Sequence, residues 1–192
     1  RHSFPTRRSS DLGTLTLGAP ATSSVLTNNV LTSTRTFNFL GGGDVVVNSR
    51  FVDTDATTLT GINKYGTGIL TLPRTDNQGT FATPVFAVGT TVVENLTASG
   101  TPSSIGSGTS FNFGGTFRHA GTANSSSDRA FGLVGPAPTL ESSGAGSLAL
   151  TSATPVAFVN GAGSPVAAFG LGVTTLTVRD AFTLFPGMTI GG

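Results

Sequence analysis

The sequence predicts an all-β chain wound as a single-stranded parallel β-helix, a solenoid of roughly seven coils. Three observations carry that expectation. Short runs of alternating apolar and polar residues recur between Gly, Pro, Asn and Asp. Windows with apolar residues at helical spacing and no Gly or Pro inside are scarce. Motifs built on Gly-x-Leu-x-Leu return along the chain at offsets of 55, 78 and 28 residues.

Successive strand side chains point to opposite faces, so each alternating run offers one apolar face to a core. In chain order the predicted inward pairs are Leu15 and Leu17, Phe37 and Phe39, Leu70 and Leu72, and Phe111 and Phe113. Leu148 and Leu150, Val156 and Phe158, Leu176 and Val178, and Phe182 and Leu184 follow. Thr, Val and Phe suit such half-buried surfaces. Gly-x-Leu-x-Leu stands at Gly13–Leu17, Gly68–Leu72 and Gly146–Leu150, with a weaker copy at Thr174–Val178. A second motif repeats as FNFLGGG from Phe37 and FNFGGTF from Phe111. The Leu-motif offsets fit multiples of about 26–28 residues, a plausible coil length. One coil cannot bury its apolar face alone, but stacked coils bury a continuous column. A β-sandwich is the alternative fold, because it also uses short alternating strands.

Composition narrows the functions. Of 192 residues only 10% are charged, against about 25% in ordinary globular proteins. Cysteine is absent, which excludes disulfides and thiolate metal sites. No apolar stretch approaches the ~18 residues of a membrane helix, so no direct membrane span is expected in this segment. There is no initiator Met, no secretory apolar region and no closing signal after MTIGG, so both ends are expected to be cuts.

The first twelve residues stand apart. They hold Arg1, Arg7 and Arg8, three of the ten Lys and Arg. HSFPTRRSSDL, His2–Leu12, resembles one reading frame of a common short-read sequencing adapter, so residues 1–12 are expected to be foreign and 13–192 to be the β-helix. Without them the formal charge of +1 becomes −1, and no basic patch remains from which to expect nucleic-acid binding.

The stretch KYGTGILTLPRTDNQGTFATPVFAVGTTVV, Lys64–Val93, resembles the autotransporter-associated β-strand repeat, also called the passenger-associated transport repeat. Lys64, Gly66, Gly68, Leu70 and Leu72 match its pattern, and Gly144, Gly146, Leu148 and Leu150 repeat the core of it. Asn77 and Gly79 match loosely, and Thr90–Val93 resembles the following strand. Pro73, and Phe81 with Thr83 and Pro84, depart from it. The resemblance implies a right-handed β-helix in a bacterial passenger region, secreted or displayed at the outer membrane. No translocation-barrel segment is visible in this sequence, so any such partner domain of the full-length protein is expected beyond Gly192.

Candidate chemistry is sparse. Complete nucleotide-binding and hydrolase-elbow motifs are missing. His119 is the only histidine after the opening segment and reads as a turn residue after Phe117. Asp53 and Asp55, two apart in FVDTDATT, could join Asp44 around Ca²⁺, with Arg50 or Lys64 as a base or anion clamp. Solvated turn aspartates are the plainer reading. Asn95-Leu96-Thr97 and Asn124-Ser125-Ser126 fit the glycosylation pattern. The leading expectation is therefore a non-catalytic stalk with no cofactor, supporting secretion and surface display. The alternatives are a module binding surface glycans, marked by a row of exposed aromatics or asparagines, and a β-helical polysaccharide-degrading enzyme.

Overall fold

The computed structural model describes residues 13–19, 24–27, 35–53, 60–79, 83–135, 138–154, 156–159 and 165–169. Thr60 and the last two segments are described by their backbone. Among the described residues seventeen strands run in chain order: β1 (Leu15–Leu17), β2 (Val25–Thr27), β3 (Arg35–Phe39), β4 (Val45–Val47), β5 (Arg50–Val52), β6 (Thr60–Lys64), β7 (Ile69–Leu72), β8 (Val85–Phe86), β9 (Thr90–Val93), β10 (Ser110–Phe113), β11 (Thr116–His119), β12 (Ser125–Ser127), β13 (Ala130–Val134), β14 (Thr139–Ser142), β15 (Leu148–Leu150), β16 (Val156–Val159) and β17 (Pro165–Phe169). No helix occurs among the described residues.

The first wall is a six-stranded ladder, β1-β4-β7-β9-β11-β14, and every pairing in it is parallel. The second wall runs β3-β6-β8-β10-β13-β16 in parallel, and β17 then pairs antiparallel with β16. Two short parallel pairs, β2-β5 and β12-β15, belong to a third wall. A sandwich pairs its strands antiparallel, so this topology is a parallel β-solenoid. The longest run of parallel-paired strands holds six, so the expected seven coils are only approximate.

Register separates the two motifs. Phe37 pairs with Ile62, Asn63 with Val85 and Val85 with Asn112, which brings FNF back to the same place three coils later. The Leu motif behaves differently. Leu70 lies in the first wall, stacked below Thr91, whereas Leu148 lies in the third wall on Ser125. The 78-residue offset is therefore not a whole number of coils, and coil length varies instead of holding at 26–28. From Val45 to Leu70 the step is 25 residues, and from Ile69 to Thr90 it is 21.

The interior is a column of phenylalanine. Phe51, Phe86, Phe111, Phe113 and Phe117 are buried. Phe111 lies 5.0 Å from Phe117 and 5.9 Å from Phe131, centroid to centroid, and Phe86 lies 5.6 Å from Phe117. Removing each ring from water is worth about 1.5–3 kcal/mol, and favourable ring pairs add about 0.5–1.5 kcal/mol. Leu70 and Leu72 are buried as the alternation predicts, and Leu17, Phe37, Phe39, Leu148 and Leu150 pack partly against the column. Leu15 departs from its expected place: it is 55% exposed, because β1 is the end rung of its wall among the described residues. For Val156 and Phe158 only the backbone is described, and Leu176, Val178, Phe182 and Leu184 lie outside the described residues.

Among the described residues between β5 and β12 the third wall shows no regular ladder, and side chains bridge the coils there. The buried Asn77 accepts the Phe51 N–H at 2.9 Å through Oδ1 and donates through Nδ2 to Ser104 O at 2.8 Å. One amide side chain thus performs the donor and acceptor work of a strand across three coils.

Candidate functional site

Both copies of the Gly-x-Gly-x-Leu-x-Leu pattern, from Gly66 and from Gly144, sit at corners, where one coil presses on the backbone of the previous one. A Cβ on Gly66 would meet Gly41 O at 2.1 Å, and one on Gly68 would meet Gly43 O at 2.3 Å. At a different corner a Cβ on Gly144 would meet Gly121 O at 2.1 Å, and one on Gly146 would meet Ala123 O at 2.1 Å. Only glycine tolerates such approach. The motif therefore marks a tight corner followed by a strand, whichever wall that strand joins.

Lys64 completes the first corner. It ends β6, points inward and is buried. Its Nζ donates to Gly66 O and, at 2.7 Å, to Val88 O, tying its own corner to that of the next coil. Gly89, at φ +68°, turns past it, and a Cβ there would stand 2.5 Å from Nζ. Burial lowers the lysine's pKa below its ordinary value, with nearby Asp44 opposing the shift. Lys64 thus serves the corner as a buried carbonyl clamp.

The proposed calcium ligands divide. Asp44 precedes β4, and its Oδ1 accepts the Ile69 N–H at 2.8 Å, an inter-coil hydrogen bond. Asp53 follows β5, at the far end of the β4–β5 segment, and Asp55 lies outside the described residues. No three His, Asp or Glu residues gather around a common point among the described residues. Arg50 lies 3.9 Å from Asp76, which Arg74 engages at 2.7 Å. The hydrogen bond from Arg74 holds the Asp76 carboxyl below its ordinary range.

His119 is not a turn residue. It ends β11, where the alternation after Phe117 points it inward, and it is wholly buried. Its Nε2 lies 3.0 Å from Ser125 Oγ and its Nδ1 lies 3.3 Å from Ser142 Oγ. Asp128, the next carboxylate along the chain, accepts the Ser99 N–H at 2.7 Å.

Sequence reasoning missed Arg129. It is buried at 1% exposure beneath the long excursion between β9 and β10. Its Nε donates to Thr97 O at 3.0 Å, and its Nη2 donates to Thr101 O at 2.7 Å and Gly106 O at 2.9 Å. Burial pulls its pKa down to about 10, with Asp128 opposing. Neighbouring Ser127 donates to Thr97 O at 2.8 Å. The SSSDR run carries no alternation that would reveal this cage.

The outer face of the second wall carries Asn38, Asn63 and Asn112 at matching register, interrupted by Val85. Asn63 is engaged, accepting the Val85 N–H at 3.1 Å. Tyr65 is exposed at a corner. The amides of Asn95 and Asn124 accept backbone N–H groups of Ser104 and Ser147 at 2.8 and 3.0 Å. No helix among the described residues is long and apolar enough to cross a membrane.

Comparison with protein-family models, with curated proteins and with solved structures finds no match. Function is accordingly argued from the fold and from these residues.

Proposed function

We propose that this chain is a non-catalytic stalk segment of an exported, autotransporter-like passenger, supporting secretion and surface display outside a bacterial cell. The observation that carries the reading is where the polar groups go. Lys64, Asn77, His119 and Arg129 all point inward and spend their hydrogen bonds on neighbouring coils. Side chains committed in this way hold coils together. A parallel solenoid suits a spacer, because its stability is a sum of neighbour contacts and folding can propagate coil by coil.

The test is a fusion of the full chain between an export leader and a reporter on a bacterial surface. The reading expects efficient display, and a sharp loss when a corner is broken by Gly66→Arg. Equal display by the intact and corner-broken chains would refute it.

A second reading, binding of surface glycans, draws on the row of Asn38, Asn63 and Asn112. It expects oligosaccharide binding that Asn38→Ala with Asn112→Ala abolishes. Binding unchanged by that pair of substitutions would remove the reason for this reading.

A further inference from the structure

Four of the seven large hydrophobic side chains exposed among the described residues gather at one corner, between the second wall and the first. Leu40 follows β3 and is 70% exposed, and Tyr65 follows β6 at 46%. Val88 lies just beyond β8, and Ile69 opens β7 on the far side of the corner. The strands β3, β6 and β8 are successive rungs, with Phe39 on Lys64 and Lys64 on Phe86, so the patch rises over three coils. The floor beside the ring is bare backbone. Gly41 and Gly42 are exposed, and a Cβ on Gly41 would meet nothing within 4 Å.

Amides border the patch and charge is kept from it. Asn38 and Asn63 stand two residues before Leu40 and Tyr65, on the outer face of the same strands. Asn63 spends its Oδ1 on the Val85 N–H, and no acceptor for its Nδ2 lies among the described residues. Lys64 is buried, Arg35 stands at the opposite end of β3, and the Asp44 carboxylate is taken by the Ile69 N–H.

We propose, building on the glycan-binding reading, that this corner binds an uncharged glycan, with the Tyr65 ring against the C–H face of one sugar and the Asn38 and Asn63 amides on its hydroxyls. An exposed apolar patch rimmed by polar groups marks a contact surface. Anionic lipid or nucleic acid would need cations, and none of the described ones faces this corner. A second copy would need about 800 Å² from each partner, whereas the strip spans two coil spacings, about 10 Å. A sugar needs what is present: one aromatic face, flanking aliphatic groups and a few neutral polar groups to fix its orientation.

Tyr65 is the only tyrosine and the chain has no tryptophan, so tyrosine emission reports this corner alone. The full chain is titrated with cellohexaose, mannohexaose and fully N-acetylated chitohexaose, and with hexagalacturonate as the charged counterpart, by fluorescence and by calorimetry. A neutral hexasaccharide should bind and change the emission saturably, and hexagalacturonate should not. Tyr65→Phe should keep the affinity within about threefold, and Tyr65→Ala should weaken it about tenfold. Ser126→Ala, exposed on β12, should bind as the unmodified chain does. Calorimetric binding that leaves the emission unchanged and ignores Tyr65→Ala would overturn this site and spare the glycan-binding reading. No binding of any neutral hexasaccharide would overturn both. Self-association in sedimentation that Tyr65→Ala abolishes would assign the corner to a second copy and overturn the proposal as well.

Discussion

Gly66 lies against Gly41 so closely that a Cβ on Gly66 would stand 2.1 Å from the Gly41 carbonyl oxygen. The obstacle is backbone on both sides, so no side chain can swing aside. Gly66→Ala must push two coils apart, at a cost of about 3 kcal/mol. Gly13→Ala, with nothing within 4 Å of its Cβ, should stay within about 0.5 kcal/mol. Urea unfolding of the two variants checks the contrast, and equal midpoints would contradict the corner geometry.

Phe111 is the central ring of the column. It meets Phe113 at 6.0 Å, Phe117 at 5.0 Å and Phe131 at 5.9 Å. Truncation to Ala leaves a cavity among rings fixed by three different strands, so little collapse can follow. Phe111→Ala should lose about 3–5 kcal/mol. The next residue, Asn112, points out of the wall, and Asn112→Ala should change stability by about 0.5 kcal/mol or less. Denaturant curves compare them directly.

The apolar face of this fold could be read directly from the sequence. Alternation placed Leu70, Leu72, Phe111 and Phe113 inside, and inside they are. The FNF repeat kept true coil register, because both copies precede the same corner. The Leu motif misled on spacing, because Gly144 and Gly66 answer the same steric demand at different corners. The third wall could not be read. Ser125–Ser127 is a strand without one apolar residue, and it forms because its hydroxyls bind His119, Thr97 O and Leu96 N–H. Asn77, His119 and Arg129 were hidden for a related reason: polar residues are expected outside, and these point inward.

Arg129 holds the excursion through a planar group that reaches several carbonyls at once. Lysine offers one compact ammonium on a different stem and cannot reproduce that fork. Arg129→Lys should leave Thr101 O or Gly106 O without its partner, costing about 1–3 kcal/mol. The loss should be local. Hydrogen-exchange mass spectrometry is expected to show faster exchange over residues 97–106 while β7 and β9 stay protected. Uniform loosening of the whole chain would show that the cage is not local to the excursion.

Lys64 makes an alkaline prediction whose sign differs from that of a surface ion pair. Its pKa in the folded chain lies below the ordinary 10.5, because burial disfavours the ammonium. In the unfolded chain the group regains its ordinary value and holds its proton more tightly. Between those two values unfolding takes up a proton, so raising the pH favours the folded state. The neutral amine keeps two protons, enough for Gly66 O and Val88 O alike. The stability difference between the natural chain and Lys64→Met should therefore grow as pH rises toward 10.5 and level off above it. Arg129, whose pKa is also lowered, titrates in both proteins and cancels from the difference. Paired urea titrations from pH 7 to pH 11 measure it, and a difference that shrinks with rising pH would mean that Lys64 is held by its charge and not by its hydrogen bonds.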